Sequence, residues 1–115
     1  MALYMYKFSY TPETWKRLEK EPEDRRIAVS KLMDMIGGKL IHYFYAFDDF
    51  DGIVVFEAPD DVLAQAVMIK VFSAGHIKAL RPTMLFTVEQ MMAGMRQAKG
   101  LEFRSVPFAN PDVLI

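Results

Sequence analysis

The residues best suited to chemistry gather in and around one stretch, Lys39 to Asp61, KLIHYFYAFDDFDGIVVFEAPDD. If this stretch is extended, side-chain alternation sets His42 on the same side as Asp51 and Glu57. An imidazole near a carboxylate can serve as a general base or as half of a metal site. A histidine bonded to a neighbouring strand or acid is the plainer reading of the same residues, and the stronger one. Asp48, Asp49 and Asp51 offer the oxygen ligands that hard cations prefer. They lack the longer alternating carboxylate loop of a dedicated calcium site, and acids are common in hairpin turns, so they read as a solvated turn. Arg81, between Leu80 and Pro82, either anchors an anion in a cleft or pairs with an acid at a sheet edge, and the ion pair is favoured. Tyr4, Tyr6, Tyr43, Phe44, Tyr45 and Phe47 could line a pocket for a flat apolar molecule, although packing accounts for most of them. Tyr6, His42, Asp51 and Arg81 are the candidate ligand-binding set. His76, just after Gly75, suits the negative end of a helix and reads as structural or solvated.

Several chemistries are excluded. There is no cysteine, which removes thiol catalysis, thiolate metal sites and disulfides together. No glycine-rich phosphate loop, serine nucleophile elbow or helically spaced histidine pair is present. Neither a metal nor a cofactor is predicted. The net charge is −1, with basic residues interspersed among acids, as in Asp24-Arg25-Arg26. Such a chain has no long-range field to attract nucleic acid. No apolar run approaches the ~18 residues of a membrane span, and the N-terminus does not read as a secretory leader. The expected location is the cytoplasm.

At 115 residues with 52% apolar content, the chain can build one core without staples. Ala2 to Phe8 alternates Tyr4, Tyr6 and Phe8 against Leu3, Met5 and Lys7, which predicts a strand with apolar groups on both sides. Thr11-Pro12 opens a helix bearing Trp15 and Leu18. Pro22 interrupts it, and a second helix runs from Glu23 to Ile36. Its stripe is Ala28, Leu32, Met35 and Ile36, with Asp24, Arg25 and Arg26 on a solvated face. Gly37-Gly38 ends that helix.

The central stretch is a hairpin whose turn lies within Asp48 to Gly52. With an even loop and no bulge, Ile41, Tyr43, Tyr45, Phe47, Phe50, Gly52, Val54 and Phe56 share one face. Leu40, His42, Phe44, Ala46, Asp49, Asp51, Ile53, Val55 and Glu57 share the other. Asp60-Asp61 then caps a helix to about Ala74. Its faces are Val62, Ala66, Ile69 and Ser73, with Leu63, Val67 and Val71 beside them. His76 to Phe86 is a fourth strand, placed at an edge or bulged by Pro82. Thr87-Val88-Glu89-Gln90 fits a capping box, which starts a closing helix to about Lys99. Residues 1–99 form the predicted domain, and 100–115 a C-terminal extension with an apolar content unlike that of a solvated tail.

Strand, helix, strand, strand, helix, strand is the order of the split βαβ, or ferredoxin-like, sandwich: an α+β fold with a four-stranded antiparallel sheet and helices on one face. Because both sheet faces read as apolar, a second copy of the chain is the economical cover for the other face, and a homodimer or larger homo-oligomer is expected.

Gly37-Gly38-Lys39, Tyr43-Phe44-Tyr45, Phe50-Asp51 and Val54-Val55-Phe56-Glu57-Ala58-Pro59-Asp60-Asp61 together resemble the GYD-domain family. The likeness spans about Tyr4 to Glu89, including Lys7-Phe8 and Leu80-Arg81-Pro82-Thr83. The resemblance implies a ferredoxin-like domain that assembles as a dimeric α+β barrel. The family's Gly-x-Tyr-Asp turn reads Asp48, Asp49, Phe50, Asp51 here, so only the last aspartate is kept and a phenyl ring replaces the phenol. Any chemistry of that hydroxyl or glycine should be missing from this chain. The leading reading is a homo-oligomeric GYD-type domain that holds a small apolar or acidic molecule. One alternative is a cofactor-independent oxygenase-like enzyme with His42 as base and Asp51 or Glu57 orienting it. Another is an interaction module that engages a protein partner through the segment from Leu101.

Overall fold

The computed structural model describes residues 1–106. The tail positions Phe108, Val113, Leu114 and Ile115, part of the predicted apolar extension, lie outside the described residues. The chain divides into two compact units, Met1–Leu85 and the segment from Phe86 onward.

The first unit is built on β1 (Ala2–Tyr10), α1 (Pro12–Lys20), α2 (Arg25–Met35), β2 (Lys39–Tyr45), β3 (Gly52–Ala58), α3 (Asp61–Ser73) and β4 (Ile77–Leu85). The strands form one antiparallel sheet in the order β2-β3-β1-β4. β1 is therefore internal, and its alternation sends Tyr4, Tyr6, Phe8 and Tyr10 to the buried inner face. They meet Val54, Phe56 and Ala58 of β3, Met33 of α2, and Ala64 and Val67 of α3 in a single core. The half-buried outer-face residues Leu3, Met5, Ile53 and Val55 take no part in that core. β4 lies at an edge, where a proline removes no ladder bond the sheet needs, and Pro82 sits there opposite Tyr6.

The local signals act as their chemistry dictates. Thr11 caps α1, with its side chain accepting from the Thr14 N–H, and Asp24 and Asp60 cap α2 and α3 in the same way. Gly37 leaves α2 at φ +72°, a conformation costly for any residue with a Cβ. In the second unit, α4 (Val88–Lys99) starts with the reciprocal capping box: Thr87 N–H donates to Gln90 Oε1 at 2.8 Å, and Gln90 N–H donates to Thr87 Oγ1 at 3.1 Å.

Three details differ from expectation. Tyr45 pairs with Gly52, so the hairpin connection spans residues 46–51, an even number, but the register shifts between Leu40 and His42. This bulge inserts Ile41 as an extra residue and turns Leu40 to the inner face, opposite Phe56, while His42 and Phe44 stay outside with Val55 and Ile53. On α2 the core residue is Met33, 1% exposed, while Met35 is 81% exposed. The buried stripe follows Val29, Leu32, Met33 and Ile36, the three- and four-residue steps of a helix. On α3 the inward side is Ala64, Val67, Met68 and Val71, and Val62 and Ile69 face outward. Apolar residues stand on every side of that helix, so periodicity alone could not choose its buried side.

Gly52 is set by a close approach. A Cβ there would lie 2.4 Å from Phe8 Cζ and 3.0 Å from the Phe44 carbonyl oxygen. Phe8 is itself held between Tyr10 and Tyr43, so its ring has no easy retreat. Gly52→Ala should cost about 1–3 kcal/mol, the range for overpacking a core, read as a lower urea midpoint at unchanged slope. An unchanged midpoint would show that the Phe8 ring can swing aside.

Candidate functional site

Burying tyrosines on the inner face creates a hydrogen-bonding problem, since a buried hydroxyl without a partner is costly. Each phenol of β1 has a partner. Tyr4 donates to Asp61 Oδ1 at the start of α3. Tyr6 donates to the Ala64 carbonyl at 2.6 Å, one turn further along. Tyr10 meets Tyr43 at 2.7 Å and Tyr45 at 3.2 Å, so three phenols from β1 and β2 form one cluster. The Trp15 ring packs on Tyr10 edge-on, with centroids 5.1 Å apart.

Beside this cluster, between the inner sheet face and helices α2 and α3, lies a cavity of about 240 Å³. Its walls are Tyr6, Phe8, Val54 and Phe56 from the sheet, Val29, Leu32 and Met33 from α2, Val67 and Val71 from α3, and Ile77 and Leu80 from β4. The residues with polar groups in its lining are Tyr6, Tyr10, Tyr43, Arg25, Lys70 and His76. An apolar chamber with a few convergent polar groups is the usual form of a small-molecule site. The cavity lies wholly within Met1–Leu85.

Of the residues proposed from sequence, Tyr6 lines this cavity, and the other three lie elsewhere. Asp51 ties the hairpin turn to β1: its Oδ2 accepts from the Tyr10 backbone N–H at 2.9 Å and from Trp15 Nε1 at 3.1 Å, and its own N–H donates to the Phe8 carbonyl at 2.8 Å. That carboxylate orients Trp15 and Tyr10 rather than His42. His42 is exposed on the outer face, stacked on Phe44 with ring centroids 5.6 Å apart. Arg81 is also exposed, its guanidinium 5.3 Å from the centre of the Phe50 ring. Among the described residues it joins neither ion pair, so a cation–π contact stands where an ion pair was expected. No group of three or more His, Asp or Glu residues suited to a metal occurs among the described residues, and no helix there is long and apolar enough to cross a membrane.

Sequence reasoning missed Arg25, which it assigned to solvent. Arg25 is half-buried and lines the cavity, while its neighbour Arg26 is exposed and paired with Asp24. The signal was present: Arg25, Ala28, Val29 and Leu32 stand at three-, four- and seven-residue spacing, on one helix face. Burial alone would lower the Arg25 pKa, but the Glu23 carboxylate at 2.9 Å and the nearby Tyr10 and Tyr43 hydroxyls push it upward, so the guanidinium stays charged.

The tyrosines shift together. Burial, then the Asp61 carboxylate, pushes Tyr4 up to about 12. Tyr6 rises for the same two reasons. Burial raises Tyr10 despite the opposing effect of its Tyr43 bond, and raises Tyr43 together with the Tyr10 and Tyr45 hydroxyls. The unfolded chain releases these protons near pH 10 while the folded chain retains them. Their contribution to stability is therefore complete below pH 10 and declines as pH rises beyond it. A phenolate absorbance titration should show these four tyrosines protonated above pH 10 until the fold is lost, with thermal stability falling over the same range. Titration of all four near pH 10 in a chain that retains its circular dichroism would contradict the burial of the cluster.

No curated protein and no solved structure matches the chain. The family model of the GYD domain does, over residues 4–95, which takes in the sheet from Tyr4 onward, α1 to α3 and part of α4. The match covers most of the chain, which therefore belongs to the GYD domain family.

Proposed function

We propose that this GYD-domain protein is a binding protein for a small, mainly apolar molecule, held in the cavity between the inner sheet face and α2 and α3. The observation that carries the reading is the cavity itself. An apolar cavity of ~150 Å³ is enough to admit benzene, and this one is about 240 Å³ with aromatic and aliphatic walls. Val29→Phe, at a half-buried lining position, should fill it. A neutral, mainly apolar dye small enough for the cavity, 1-naphthylamine, is the probe. One saturable site per chain, weakened about tenfold or more in the variant, is the expected result. A dye that does not saturate, or that binds the variant equally well, would overturn the reading. Native mass spectrometry of gently purified protein adds the mass of any retained occupant.

The same reading takes the first unit as a ferredoxin-like domain, supported by strand order β2-β3-β1-β4 with helices in both crossovers. It takes the outer face as the contact with a second copy. In register across that face run Phe44, Ile53, Lys7 and Arg81, then His42, Val55, Met5 and Thr83, then Lys39, Glu57, Leu3 and Leu85. A two-fold axis along the middle row sets the Lys7–Arg81 end of one copy beside the Lys39–Glu57 end of the other, so that Glu57 is the acid within reach of the partner's cations, around a centre that holds Val55 and Met5. Val55→Lys, at that centre, should convert an oligomer to a monomer in sedimentation with helix content unchanged. A wild-type monomer at micromolar concentration would dispose of this contact.

A further inference from the structure

The cavity differs sharply in charge from the rest of the chain. The protein carries 15 acidic and 14 basic residues, yet the cavity lining includes Arg25, Lys70 and His76 and not one carboxylate. Arg25 comes from α2 and Lys70 from α3, so the two helices that wall the chamber each bring a cation to it. Glu23 holds one guanidinium nitrogen of Arg25 at 2.9 Å. A guanidinium has five N–H donors in a planar fork, so most of them remain for a ligand.

The phenol cluster supplies a second, independent observation. Tyr10, Tyr43 and Tyr45 bring three O–H protons to two hydroxyl–hydroxyl contacts. Each contact uses one proton, so one is left to point away from the cluster toward another acceptor. Two members of the cluster, Tyr10 and Tyr43, are among the residues that line the cavity. Tyr6 contributes only its ring, because its hydroxyl is bonded to the Ala64 carbonyl. The lining therefore joins cations and phenol-bearing residues to hydrocarbon walls and includes no carboxylate, Glu23 standing outside it in its pair with Arg25.

We propose that the occupant is a monocarboxylic acid with an apolar body, its carboxylate received by Arg25 and the Tyr10–Tyr43 phenols and its chain or ring lying among Leu32, Val67 and Val71. The proposal rests on the reading of the cavity as a ligand site and adds the chemical class. Scaling from the cavity that admits benzene, about 240 Å³ corresponds to roughly ten non-hydrogen atoms. An eight-carbon acid is of that size. A planar carboxylate also matches the fork of an arginine better than the single ammonium of a lysine.

Octanoate and its neutral counterpart octanol separate the head group from the tail, each tested by displacement of 1-naphthylamine from the full chain. Octanoate should displace the dye about tenfold more effectively than octanol, the difference of one charge-assisted contact. Arg25→Gln should bring octanoate down to the level of octanol and leave octanol and the melting temperature unchanged. Tyr43→Phe should weaken octanoate by a smaller factor. Equal displacement by acid and alcohol, or an Arg25→Gln variant that still prefers the acid, would overturn the assignment of ligand class and leave the cavity site standing. Failure of both compounds to displace a dye that does bind would overturn it equally. Failure of the dye to bind at all would instead remove the cavity reading beneath it.

Discussion

Three phenols on the inner side of one internal strand impose the main constraint on this domain. Tyr4, Tyr6 and Tyr10 must bury their rings to form the core and still find a partner for each hydroxyl. The first turns of α3 supply two of those partners, the Asp61 carboxylate and the Ala64 carbonyl. The Asp60 cap and the positive start of that helix thus fall where the sheet needs them. β2 supplies the third through Tyr43 and Tyr45. Phe8, the one residue of the stripe without a hydroxyl, takes the space left by the missing side chain of Gly52. Strand, hairpin and helix are placed by the same four aromatic residues.

The same constraint explains why a cavity persists beside a dense sheet face. The aromatic rings are rigid and tied at their far ends, so they cannot lean across to fill space as a methionine would. Above them α2 and α3 contribute mainly small or branched residues, Ala28, Val29, Val67 and Val71, which do not reach the sheet floor at every point. α3 also leaves Val62 and Ile69 outside. With apolar residues on every side, α3 has no wholly polar face to anchor its rotation, and the hydrogen bonds from Tyr6 to the Ala64 carbonyl and from Tyr4 to Asp61 are directional contacts that fix it.

Much of this was legible in the sequence where a residue acts through its own backbone or its immediate neighbours. Thr87 with Gln90, the break at Gly37, the alternation of β1 and the edge or bulge that Pro82 requires are all local effects. What escaped was decided across the fold. The bulge at Ile41 depends on β3 pairing, and it alone moves Leu40 from one face to the other. Met33 rather than Met35 is buried because of where α2 meets the sheet. Arg25 looked like half of a solvated charge run, and only the neighbouring Tyr10 and Tyr43 make it a cavity residue. Residues 25, 28, 29 and 32 shared the spacing that would have revealed it, but a charge at the start of a helix is ordinarily solvated.

The altered signature turn bears on where function lies. Of the positions Asp48, Asp49, Phe50 and Asp51, the retained Asp51 performs a task that needs a carboxylate: it accepts from a backbone N–H and an indole at once and pins the turn to β1. Phe50, standing where the family has tyrosine, sits beneath Arg81, and a cation over an aromatic face requires the ring, not the hydroxyl. Loss of the phenol therefore removes nothing from the contacts that hold the turn. It also leaves the inner cavity untouched, since neither Phe50 nor Arg81 lines it. Five phenols, Tyr4, Tyr6, Tyr10, Tyr43 and Tyr45, are bonded independently of Phe50, and the turn holds Trp15 and Tyr10 in place beside them through Asp51.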